Sequence, residues 1–183
     1  MNDNEPIIVP RSKEGTIFEV VTGILIIVLW VLTWWLYRHA PEQVPIHFGL
    51  NLSPDSMGSR SSLIVMAVLG TVFSLGMLWS AYHPETVNLP FKINPSAQHD
   101  YVVRMVRIKS VRLPIKISLP KQYVYVVRMV RLLAVEMVFL FITVVLMMGT
   151  THVGYYPMVL FFFALVLICI TTIYYSIKVY KIK

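Results

Sequence analysis

Four long apolar stretches constrain this chain more than anything else in it: Thr16–Tyr37, Leu63–Tyr82, Leu132–Met148 and Tyr155–Tyr175. At 1.5 Å per residue, about twenty helical residues make the roughly 30 Å needed to cross a bilayer's hydrocarbon core. The third stretch reaches that length if its helix begins a turn earlier. Lipid offers no hydrogen bonds, so a spanning segment must satisfy its backbone internally, as a helix does. The expected fold is therefore an all-α integral membrane protein with four transmembrane helices. Composition agrees, because 57% of the 183 residues are hydrophobic and only 14% charged, against about a quarter charged in a soluble domain.

Lys and Arg set the predicted orientation. The segment from His83 to Arg131 carries nine of them, the C-terminal tail three and the N-terminal tail two. The loop between the first two spans holds Arg60, with Arg38 at its margin, and the Gly149–Gly154 turn holds none. Both termini are then cytoplasmic and the first loop faces outward. The chain divides into an N-terminal tail (1–15), a first helical hairpin (16–82) with an outer loop motif (39–62), a basic cytoplasmic loop (83–131), a second hairpin (132–177) and a basic tail (178–183). The net charge of +7 is read as this topology signal, with no nucleic-acid partner. The run Thr16–Tyr37 is too long for a cleaved leader, and HAPEQ after it lacks a small-x-small site. Trp30, Trp34, Trp35 and Tyr37 at its far end suit a membrane–water boundary.

The basic loop repeats itself. LPFKINPSAQHDYVVRMVRIKSVR (89–112) is followed at once by LPIKISLPKQYVYVVRMVRLLAVE (113–136), identical at thirteen of twenty-four positions. In the second copy YVVRMVR should open the third span, with Arg128 and Arg131 on one helix face at headgroup level. In the first copy, which bears Arg104 and Arg107, the same heptapeptide suits either an interfacial helix or a strand, being rich in valine and tyrosine. LPFKI and LPIKI alternate apolar and basic residues and suit a small hairpin. The loop is a topology anchor or a surface for lipid or a cytoplasmic protein.

Glu19 and Glu136 are the acids within the apolar spans. Both fall about one turn from the cytoplasmic end, where Arg131 or Arg128 is placed to pair with Glu136. An intramembrane acid is otherwise a functional suspect. Gly70 and Gly76 permit close helix contact. Ser61 and Ser62 mark a helix start. The Phe161–Phe163 run reads as a lipid- or core-facing cluster. His47 with Glu42, Asp55 and His39 or His152 is the one combination resembling a metal set, but its spacing matches no zinc motif, and no metal or other cofactor is expected. Nor does any nucleophile–base pair, P-loop or dinucleotide fingerprint occur, so no enzyme is expected. The lone Cys169 has no disulfide partner.

The outer segment PEQVPIHFGLNLSPDSMGSR (41–60) is the polar stretch richest in individually distinctive residues. Pro41 and Pro45 end the helix and stiffen the chain. PDSMG is turn chemistry, and Arg60 is placed to meet Asp55 or to reach outward. Such a loop serves as a recognition surface or as a cap over the helix ends. It resembles the membrane domain catalogued as domain of unknown function 1648, whose first helix is followed by P-x-x-[VI]-P-x-H-[FW]-N-x-x-G-x-P-D-x-[WY]-G-S-[KR]. Pro41, Val44, Pro45, His47, Phe48, Pro54, Asp55, Gly58, Ser59 and Arg60 match in register, while Gly49, Leu52 and Met57 depart from it. The domain occurs in SdpI-like immunity proteins, bacterial membrane proteins that protect against a secreted toxin and relay its presence to a repressor. The resemblance implies a bacterial inner-membrane protein acting in immunity or signalling. The first expectation is then a protein without catalytic activity whose outer loop meets a peptide toxin or a membrane partner. The rival expectation is a small proton-coupled transporter using Glu19 or Glu136, with a dimer completing its helix set. A membrane metalloenzyme at His47 is the weaker alternative.

Overall fold

The computed structural model describes residues 12–49, 53–83, 99–108, 111–150 and 155–182, and for 99–120 and 155 the backbone alone. Helix α1 spans Lys13–His39. Strands β1 (Gln43–Phe48) and β2 (Pro54–Ser59) follow, then α2 (Ser62–Tyr82). Strands β3 (His99–Ile108) and β4 (Val111–Pro120) lead into α3 (Lys121–Gly149), and α4 (Tyr155–Lys181) completes the order. All four helices are long and apolar enough to cross a membrane. The predicted four-helix membrane fold is observed, with two small antiparallel hairpins added to it.

Each helix extends beyond the predicted apolar run. Ser12 caps α1 by accepting the Gly15 N–H at 3.0 Å, so the helix starts inside the stretch read as a tail. Ser61 is the cap residue of α2, but its hydroxyl bonds the Ser59 hydroxyl at 2.8 Å rather than the helix backbone. Helix α4 runs on through Lys178 and Lys181, which were assigned to the tail. The largest correction is α3, which begins at Lys121, eleven residues before Leu132. Hydropathy marks where lipid begins, whereas a helix continues into water as long as its residues find partners.

Helix α3 is the central post, packing against α1, α2 and α4. Half of its most apolar stretch is buried, against 17–22% for the other three. The buried positions of α1 include Gly15, Thr22, Leu29 and Leu36, a seven-residue repeat. Those of α2 are Leu63, Ala67, Gly70, Ser74 and Ala81, alternating steps of four and three before the last. Both are the seams of helices that cross at shallow angles. Small residues on the α2 seam let backbones approach, the usual means of holding helices together in lipid. A Cβ on Gly70 would stand 2.7 Å from the Phe141 side chain, whereas Gly76 has open space. The sequence expectation thus holds at Gly70 and not at Gly76. Trp30 adds a cross-link, its indole N–H donating to the Thr71 hydroxyl at 3.0 Å.

The start of α1, the end of α2, the start of α3 and the end of α4 share one end of the bundle, here called the basic end. Contacts from Arg131 and Tyr82 to Glu19, and from Gln122 to the last turn of α4, place them together. The β1–β2 hairpin lies at the other end.

In the repeat, the first YVVRMVR (101–107) lies in β3, so of the two sequence expectations the strand is observed and the interfacial helix is not. The second copy (125–131) is helical within α3. Strand β4 contains LPIKI (113–117) and pairs it with Val103–Val106 and Val102 of β3. The proposed partner LPFKI lies outside the described residues, as do most of the Gly149–Gly154 turn and residues 1–11.

Candidate functional site

The hairpin end combines a fixed strap with an apolar groove. Helix α1 stops at Ala40, ahead of Pro41. The strap is tied at its base by the Arg60 N–H donating to Glu42 O at 2.9 Å, and near its tip by Gly49 N–H to Ser53 O at 2.9 Å. Val44, 1% exposed, packs into the core with Leu36, Ala40, Leu63 and Met148, which seats the hairpin on the helix ends. Pro45 is buried beside it and pairs in register with Met57, while Pro54 pairs with Phe48 at the far end of the ladder. The stretch PDSMG, read from sequence as a turn, is strand β2 instead. Its turn-prone residues fit because a two-stranded ribbon leaves outer edges unpaired, where proline and irregularity are tolerated.

The ladder slips twice around His47. Ile46 on β1 and Asp55 on β2 have no register partner, which marks a bulge on each strand. Bulges re-aim side chains, and here they bring His47 Nδ1 to 2.5 Å from Asp55 Oδ1, the ring nitrogen donating to the carboxylate. Both side chains are exposed. Ile46 covers Gly58, where a Cβ would meet its side chain at 2.7 Å, so a larger residue there would displace Ile46. Arg60 does not pair with Asp55. Its guanidinium lies 5.0 Å above the Tyr37 ring, and Arg38 sits over Trp34 at the same distance, each held as a cation over an aromatic face.

Beneath β1 lies a groove of about 470 Å³ bounded by Ile46, His47, Phe48 and Gly49 from the strap and by Met66, Val144, Met147, Met148, Met158, Phe161 and Phe162 from α2, α3 and α4. The sequence reading placed Phe161 and Phe162 in a lipid or core cluster; here both line the groove. It overlooked the methionines, although ten occur in the chain and several fall at the facing ends of α3 and α4. Flexible thioethers and aromatic rings make such a wall adaptable to an apolar guest. Among the described residues no group of three or more His, Cys, Asp or Glu converges; His39 instead contacts the Trp35 carbonyl at 2.8 Å, and His152 lies outside the described residues.

At the basic end, the charges pair differently from the sequence expectation. Arg131, 3% exposed, meets Glu19 at 3.0 Å. The Tyr82 hydroxyl donates to the same Glu19 oxygen at 2.9 Å, and Arg131 also lies 5.6 Å from the Tyr82 ring centre. Arg128 meets Glu14 at 3.4 Å. One buried node thus joins α1, α2 and α3 and turns Arg131 into the bundle, whereas Arg128 and Glu14 form a partly exposed pair beside it. Glu136 pairs with neither arginine; it accepts from the Thr171 hydroxyl at 2.6 Å, within the bundle. It stands five residues beyond Arg131, about 7.5 Å deeper along α3, so the two acids do not share a depth. Its Oε2 has no hydrogen-bond partner. The side chains of Arg104 and Arg107 lie outside the description.

Four apolar spans and a strap-covered groove define a multi-pass membrane protein. Residues 24–71, from α1 through the hairpin into α2, match the family model described as "Domain of unknown function (DUF1648)", which bears out the resemblance read from the loop. An uncharacterized protein of Archaeoglobus fulgidus is 32% identical over 89 residues, 44% of this chain and 49% of that one. The chain therefore spans about half the length of the curated relative it matches. No solved structure matches.

Proposed function

We propose that this is a non-catalytic membrane protein whose hairpin end, facing the cell exterior of a bacterium, captures a hydrophobic peptide, in the manner of an SdpI-like immunity or signalling protein. The observation that carries this reading is the groove of about 470 Å³ under β1. Its wall of methionine and phenylalanine suits apolar side chains, and thioethers and phenyl rings bind without reacting. The exposed His47–Asp55 pair at its rim offers polar groups to a peptide backbone or terminus. Because Val44 and Pro45 anchor the strap, the groove exists before its guest arrives, which lowers the ordering cost of binding. Expression in a host sensitive to a membrane-active peptide toxin tests the reading. The wild-type chain is expected to protect. His47→Ala and Asp55→Ala, at equal protein level, are expected to weaken toxin binding about tenfold, the effect of about 1.4 kcal/mol. Equal protection by both variants removes the strap from the mechanism.

A second reading, a small proton-coupled transporter, draws on Glu136. It is buried in the middle of the bundle with one carboxyl oxygen unpartnered, and acids at such depth commonly mark ion paths. Proton-driven transport in proteoliposomes that Glu136→Gln abolishes would favour it over peptide capture.

A further inference from the structure

We propose that the cleft between α3 and α4 at the basic end of the bundle binds the phosphate headgroup of an anionic phospholipid. The cleft, about 390 Å³, is lined by Tyr125 of α3, by Tyr174, Ile177, Lys178 and Lys181 of α4, and by Ile182. Lys178 and Lys181 are three residues apart and share a helix face. The Lys178 ammonium lies 5.5 Å from the Tyr174 ring centre, which holds it along the wall.

These lysines differ from the arginines one helix away. Arg128 and Arg131 are met by Glu14 and Glu19. Among the described residues no carboxylate pairs with Lys178 or Lys181. Among the described residues the two ammonium groups of the cleft thus have no carboxylate partner, and two tyrosines stand in the same wall. The end of a helix would ordinarily repel an anion through its free carbonyls. Here the Gln122 amide, from the first turn of α3, donates to Val179 O at 3.4 Å and Ile182 O at 3.2 Å. That contact occupies two of those carbonyls and fixes the last turn of α4 against α3, so the cleft is preformed.

Depth and wall chemistry select the occupant. The 27 residues of α4 make about 40 Å of helix, roughly 10 Å more than the hydrocarbon core. Its last two turns accordingly reach the headgroup layer. A free phosphate would leave Ile177 and Ile182 facing water. A zwitterionic lipid would bring its own ammonium to two others. An anionic phospholipid satisfies both the lysines and the isoleucines.

The test places the full chain in nanodiscs of equal phosphatidylcholine and phosphatidylglycerol and counts retained lipid by native mass spectrometry. Phosphatidylglycerol is expected to remain bound in preference to phosphatidylcholine. The double variant Lys178→Gln, Lys181→Gln is expected to hold it about thirtyfold more weakly, the attraction of two lysines to an anionic surface. Lys178→Arg, Lys181→Arg is expected to restore retention, and Arg38→Gln with Arg60→Gln, at the opposite end, to leave it unchanged. Undiminished retention by the double glutamine variant, equal retention of the two lipids, or displacement by inorganic phosphate would each overturn the assignment.

Discussion

Arg131 shows how much a single side chain holds in this protein. It joins Glu19 of α1 to α3, with Tyr82 of α2 bonded to the same carboxylate. Gly15 packs directly against it, and a Cβ there would push the guanidinium aside. Both members of the pair are largely buried, at 3% and 10% exposure. Removing one partner of such a pair leaves a stranded charge and typically costs about 3–5 kcal/mol. Arg131→Ala and Glu19→Ala are each expected to lower the unfolding free energy in detergent by that amount and to shift the midpoint down with it. Arg131→Met combined with Glu19→Met should recover most of it. The His47–Asp55 pair is the opposite case. It is solvent-exposed, and exposed pairs contribute about 0–1 kcal/mol, so His47→Ala should leave the melting temperature nearly unchanged. Thermal unfolding of the four variants distinguishes a structural node from a recognition pair.

At the scale of elements, one heptapeptide adopts two conformations. YVVRMVR is strand β3 at 101–107 and part of helix α3 at 125–131. Its own preference decides neither, since valine and tyrosine favour strands while arginine and methionine favour helices. The second copy is helical because it runs into an apolar span and because Gln122, Arg128 and Arg131 find partners on α4 and α1. The first copy pairs with β4. The repeat supplies Gln98, Arg104 and Arg107 at the positions of Gln122, Arg128 and Arg131. Deleting residues 108–131 would join the first heptapeptide directly to Leu132. That chain is expected to insert and to melt within a few degrees of the full protein, with Arg107→Ala now as damaging as Arg131→Ala was. Failure of the shortened chain to accumulate would show that the two copies are not interchangeable.

At the scale of the whole molecule, antiparallel packing places the strap and groove at one end and the paired and unpaired cations at the other. The excess of Lys and Arg at the basic end predicts that it is cytoplasmic. In a Cys169→Ser background, Ser56→Cys on β2 should react with a membrane-impermeant maleimide in intact cells, whereas Lys121→Cys should react only after lysis. The reverse pattern would invert the orientation and place the groove inside.

The number of spans, their approximate limits and the family resemblance of residues 41–60 were legible in the residues alone, because each rests on a local property: apolar length, proline position or a fixed order of side chains. Which charges meet was not legible. Glu136 lay nearer in sequence to both arginines, yet they pair with Glu19 and Glu14 across a helix interface, and Glu136 meets Thr171 instead. The groove was equally hidden, being assembled from a strand and three helices whose methionines, taken singly, look like any other lipid-facing residue. Local chemistry determines where a chain enters and leaves the bilayer, since water and hydrocarbon act on every residue separately. Partners between helices depend on rotation and depth, and those are decided only when the four helices pack together.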